Sequence, residues 1–137
     1  MVPHISLLAP RKNTVLMTQE LGCGRVYFHK DPLEFFVNGL RFSVPSYMMS
    51  DGYSAPRPFR GIFPKSMGGL LAAIAHDFLY SLEGSQLCSR EDADDILRTL
   101  MFHYGHGWSS RRVVWSAVRT CGWKSYAKRN LQTHTHK

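Results

Sequence analysis

The chain has 137 residues, 44% of them hydrophobic and 20% charged. That suits one domain with a modest core and argues against a disordered or fibrous protein. A formal net charge of +7 admits nucleic acid, an anionic membrane or an acidic protein as partner, or a merely solvated basic face, and the scattered Cys23, Cys88 and Cys121 form no CxxC pair, which argues against a disulfide framework or a cysteine zinc site.

Residues 1–12 contain proline and show no period, so they read as an extended arm that crosses the surface or meets a partner. They lack the basic region and long apolar run of a secretory leader, and none is expected. Strands are expected over residues 14–45 as one small antiparallel sheet. Thr14-Val15-Leu16-Met17-Thr18 is the first, Gly22-Cys23-Gly24 breaks it, and Arg25-Val26-Tyr27-Phe28-His29 is the second. Leu33-Glu34-Phe35-Phe36-Val37 and Leu40-Arg41-Phe42-Ser43-Val44 flank Asn38-Gly39. That pair predicts a type I′ hairpin, because both turn residues need positive φ. Pro45 ends the pairing.

Residues 46–66 carry no helical or strand period and hold several prolines and glycines. A loop this long in a small domain is usually functional or pinned. Asp51-Gly52 within it favours a tight turn. Helices are expected over 67–129. The first, at 67–80, is apolar almost all round and should be buried. It is too short, and too charged at its end, to span a membrane, and no run of about 18 apolar residues exists elsewhere. Yet it carries His76 and Asp77, which are costly to bury without partners.

Ser89 should cap a second helix, with Glu91 and Asp92 at its positive end. Ala93, Ile96, Leu97, Leu100, Met101 and Tyr104 form its apolar stripe, with Asp94 on the border and Asp95 nearer solvent. Ser109 or Ser110 should cap a third helix with Val113, Val114, Ala117, Val118 and Cys121 inside. Arg111, Arg112, Lys124, Lys128 and Arg129 give its end a basic surface, and Trp115 and Trp123 serve as anchors. The tail at 130–137 is polar and expected to be disordered. The whole chain, 1–137, reads as a single α+β domain: a small antiparallel β-sheet in the N-terminal half packed with about three C-terminal helices.

Three segments carry a resemblance: Asp51-Gly52-Tyr53-Ser54-Ala55-Pro56, His76-Asp77-Phe78-Leu79-Tyr80, and Ser89-Arg90-Glu91-Asp92-Ala93-Asp94. They are similar to the D-G-x-S-x-P, H-D-x-L-Y and S-R-x-x-A-D motifs of a phage and prophage family called domain of unknown function 1353. Val118-Arg119-Thr120-Cys121-Gly122 is similar to its final V-R-x-x-G. Ser50 stands where that family usually has Thr, and Tyr53 where it has a small residue. The resemblance implies a phage or prophage origin and no particular activity.

The motifs supply Asp51, Ser54, His76, Asp77, Arg90, Asp92, Asp94 and Arg119. One reading joins them as a buried polar network, with His76 oriented by Asp94 or Asp92 and Asp77 neutralised by Arg90 or Arg119. The other makes Asp51, His76 and Asp94 the catalytic or metal-binding set of a hydrolase, since carboxylates and imidazole can hold a divalent cation that activates water. His76 and Asp77 are sequence neighbours and point about 100° apart on a helix, so they are poorly placed to share one metal. No cofactor is expected, a divalent metal belonging only to the hydrolase reading, and no catalytic set is assigned outside it.

The expectation is therefore a phage accessory protein that acts by binding. It would be a head or tail component meeting other phage structural proteins, found in the host cytoplasm during infection and then in the virion. A metal-dependent hydrolase acting on cell-wall material is the alternative, and a nucleic-acid-binding protein using the basic third helix is a further one. No membrane partner is expected.

Overall fold

A computed structural model describes residues 7–11, 17–21, 24–28, 30–46, 67–121 and 126. The Asp51 and Ser54 segment, Trp123, Lys124, Lys128, Arg129 and the tail lie outside those residues.

Strand β1 (Met17–Leu21) pairs antiparallel with β2 (Gly24–Phe28), from Met17 opposite Phe28 to Leu21 opposite Gly24. The first strand is expected at 14–18; the described strand reaches Leu21, and residues 14–16 lie outside the described residues. Gln19 and Glu20, weak strand formers, are carried in by their ladder to Val26 and Arg25. Strand β3 (Leu33–Val37) pairs with β4 (Leu40–Val44), and the two ribbons are separate two-stranded sheets. The single sheet expected over 14–45 is thus divided. Pro32, which has no N–H to give a ladder, lies between the ribbons.

The β3–β4 turn has Asn38 at φ 52° and Gly39 at φ 81°, as a type I′ turn requires. Alternation then buries Leu33, Phe35, Val37, Phe42 and Val44 on one face. Phe35 stacks on Phe42 with centroids 5.0 Å apart, and Phe42 stacks on Phe78 at 6.0 Å. The described part of the arm, residues 7–11, meets the other edge of β3, where Leu8 and Phe36 exchange N–H···O bonds of 3.0 and 2.8 Å. The Tyr104 hydroxyl donates to Pro10 O at 2.6 Å and fixes the arm to the helical layer.

Helix α1 (Met67–Tyr80) is buried nearly all round, from Leu70 to Tyr80, with Asp77 half-buried. Gly84 follows it in a 3-10 turn, Gly84–Gln86. A Cβ there would lie 2.0 Å from Phe78 O, so only glycine lets the chain turn back so tightly against α1. Helix α2 (Arg90–His103) contacts β3, α1 and α3 (Trp108–Cys121). Its stripe of Ala93, Ile96, Leu97, Leu100, Met101 and Tyr104 is buried throughout. Each such large side chain contributes roughly 1.5–3 kcal/mol by leaving water. Helix α3 begins at Trp108, ahead of the expected serine cap: Gly107 O accepts the first helical bond, from Arg111 N at 3.1 Å. Gly is a tolerated N-cap, and the serines fall inside the first turn. Val113 was expected in the core and is 46% exposed, because α3 meets α2 through Val114, Ala117 and Val118 instead.

Candidate functional site

Residues of the described motifs meet at α2. Ser89 caps that helix, its hydroxyl accepting from Asp92 N at 3.1 Å, and this fixes where the first turn begins. Arg90 and Asp94, four residues apart, then share a face. Asp94 was expected at the border of the apolar stripe. It is 0% exposed, because α1 covers it on one side and α3 on the other.

Both carboxylate oxygens of Asp94 are occupied. Oδ1 lies 2.8 Å from His76 Nε2 and accepts from the Tyr80 hydroxyl at 2.6 Å. His76 and Tyr80 stand one helical turn apart on α1, and their rings pack at 4.1 Å. Oδ2 accepts from Arg119 Nη1 of α3 at 2.9 Å and has Arg90 Nη1 at 3.7 Å, an ion-pair contact rather than a hydrogen bond. Arg90 itself donates to Val118 O at 3.0 Å and Arg119 O at 3.3 Å. Those carbonyls belong to the last turn of α3, where helix geometry leaves acceptors without partners and favours a cation. One buried carboxylate and one guanidinium therefore tie α1, α2 and α3 together.

The electrostatics follow from this geometry. Burial alone would raise the Asp94 carboxyl, but the His76 contact, with the Tyr80 and Arg119 bonds, outweighs it and holds the group below the usual carboxylate range. Burial, then the Asp94 charge, pushes the Tyr80 hydroxyl well above its ordinary range, so it remains a donor. With Asp94 ionised, the hydrogen-bond pattern assigns a proton to His76 Nε2. His76 is 1% exposed, and its Nδ1 is buried without a partner among the described residues. Cys88, a free thiol near the end of the network, is pushed up to about 11 by burial and by the charges of Asp92 and Asp94.

Of the residues expected in the network, His76, Arg90, Asp94 and Arg119 are brought together. Both arginines sit on Asp94 of α2, one helix away from the half-buried Asp77 of α1 for which one of them is expected. Asp92 is exposed at the start of α2, where its N–H serves the cap. Tyr80 was not singled out, although its position four residues after His76 marked it as a neighbour on one face. Of the expected metal set, His76 and Asp94 meet, and Asp51 lies outside the described residues. Among the described residues no three His, Cys, Asp or Glu side chains group as metal ligands would.

Arg111 and Arg112, expected on the basic surface, are on the outer face of α3. Arg111 stacks on Phe102 at 4.7 Å and Arg112 on Trp108 at 5.1 Å. The half-buried Trp115 donates to Asp95 Oδ1 at 3.2 Å, while Trp108 is 63% exposed.

A family described as "Protein of unknown function (DUF1353)" has a model that matches residues 31–118, from the β3–β4 hairpin to near the end of α3. The chain belongs to this family. No curated protein and no solved structure matches it.

Proposed function

We propose that this member of the DUF1353 family is a phage-encoded accessory protein that acts by binding, as a head or tail component in contact with other phage structural proteins. It would be made in the host cytoplasm and carried into the particle. One observation supports the reading above the others: among the described residues, the carboxylate of Asp94 is fully occupied by other motif side chains. Asp94 is surrounded by His76, Tyr80, Arg90 and Arg119, three of them hydrogen-bonded to it. A carboxylate so occupied, with two guanidiniums beside it, has little capacity left to ligate a cation or to take a proton from substrate. Mass spectrometry of purified particles should find this chain among the structural proteins. Its absence from particles would remove the reading.

The alternative, a metal-dependent hydrolase using Asp51, His76 and Asp94 and acting on cell-wall material, draws on the Nδ1 of His76, which has no partner among the described residues. Elemental analysis separates the two. Stoichiometric zinc or manganese in the purified protein, lost in Asp51→Ala, would overturn the binding reading, whereas metal-free protein supports it.

A further inference from the structure

Helix α3 turns one face to α2 and leaves the other to solvent. On that outer face Trp108, Arg112 and Ser116 recur every four residues and so form one ridge. A hollow lies on each side of it. The first, of about 350 Å³, is cationic: Arg98, Arg111 and Trp115 join the ridge residues in lining it. The second, of about 510 Å³, has an apolar floor of Val113 and Ala117, with Ser109 and Thr120 beside the ridge.

The arginines here are held differently from those at Asp94. Each guanidinium lies over an aromatic ring: Arg98 over Trp115 at 4.9 Å, Arg111 over Phe102 at 4.7 Å and Arg112 over Trp108 at 5.1 Å. Stacking orients a guanidinium through its face and leaves its N–H edge for an oxyanion. Arg98 has a carboxylate, Asp95, at 3.2 Å. Among the described residues no carboxylate pairs with Arg111 or Arg112, and Arg111 Nε is buried without a partner. Phe102 and Trp108 are each 63% exposed, which costs hydration unless something flat covers them.

The geometry points to a binding site for single-stranded nucleic acid on the outer face of α3, with the phosphates on Arg111 and Arg112 and a base on Trp108. A nucleotide joins an anion to a flat, weakly polar ring, and the two hollows offer those environments side by side across one ridge. An acidic peptide would use the cationic hollow and leave the apolar one unfilled. Stacking on an aromatic ring is open to every base, so the site should bind with little sequence preference. The inference goes beyond the binding reading above, whose partners are phage structural proteins, and stands or falls independently of it.

The test is fluorescence anisotropy with the full chain and a labelled oligodeoxythymidylate of about a dozen nucleotides. At about 50 mM salt it should bind, and the logarithm of affinity should fall against the logarithm of salt with a slope of roughly −1.5 to −2, as two or three phosphate contacts require. Arg112→Gln should reduce that slope by about 0.7. Trp108→Ala should weaken binding about 5- to 100-fold, the loss expected for one stacked base. Both side chains are exposed, so their melting temperatures should match the parent's and report any folding defect separately.

Absence of binding at low salt would overturn the site, as would affinities unchanged in both variants. Displacement by oligoglutamate as effective as by unlabelled oligonucleotide would overturn it in favour of an acidic protein. Presence in particles without oligonucleotide binding would sink this inference and leave the virion reading standing. Oligonucleotide binding by a chain absent from particles would do the reverse.

Discussion

Two regions of this protein use the same residue types, arginine and aromatic side chains, with opposite results. Around Asp94 four side chains turn to one buried carboxylate: Tyr80 and His76 on one oxygen, Arg119 on the other, Arg90 beside it. On the outer face of α3, Arg111 and Arg112 rest on rings that are themselves exposed, with no carboxylate among the described residues to neutralise them. Burial makes the difference. A guanidinium beside a buried carboxylate compensates a charge that would otherwise be very costly, and so holds the fold together. A guanidinium stacked on an exposed ring contributes little to stability, and its donors remain available for a ligand.

The comparison can be broken at the buried region first. Asp94→Ala leaves the Arg119 guanidinium, a phenol and an imidazole without their acceptor and Arg90 without its counter-charge, and should cost about 3–5 kcal/mol in urea unfolding. A loss under about 1 kcal/mol would mean that the network contributes no more than an average surface site. Acid should act on the same group. Its carboxyl is held below the ordinary value in the folded chain, so its contribution is fully present above the unfolded value of roughly 4 and is lost as pH falls through the folded value. Thermal melts from pH 6 downward should therefore show a stability drop below about pH 4 that is smaller in Asp94→Asn. Equal drops in the two proteins would assign acid sensitivity to other groups. Tyr80→Phe removes one bond to the charged oxygen and should cost about 1.5–3 kcal/mol. The outer face should respond least. Trp108→Ala and Arg112→Gln are expected within about 0.5 kcal/mol of the parent, and a larger loss in either would show that this face serves the fold after all.

Local chemistry made much of the fold readable in advance. Asn38-Gly39 between two alternating runs specified the hairpin. The apolar 67–80 segment announced a buried helix, and the spacing from Ala93 to Tyr104 announced the stripe of α2. The motif residues marked the family. Tertiary placement was not readable. A helical wheel puts Asp94 at the edge of its stripe, and only the approach of α1 and α3 from two sides buries it. Likewise, the sequence supplies two arginines and two aspartates without saying that both arginines turn to Asp94. The hydroxyl that completes the site comes from Tyr80, whose place in the H-D-x-L-Y motif does not by itself say that it reaches Asp94. Phe102 and Trp108 look like core residues by type alone, yet each is 63% exposed.

Urea unfolding of Asp94→Asn tests the locking role of this carboxylate most directly, because it keeps the side chain's shape and removes its charge. The transition midpoint should fall at unchanged slope, with a loss of at least about 2 kcal/mol, as expected when a buried charge pair loses one member. A midpoint within about 0.5 kcal/mol of the parent would contradict it, since two guanidiniums cannot face an uncharged buried amide without cost.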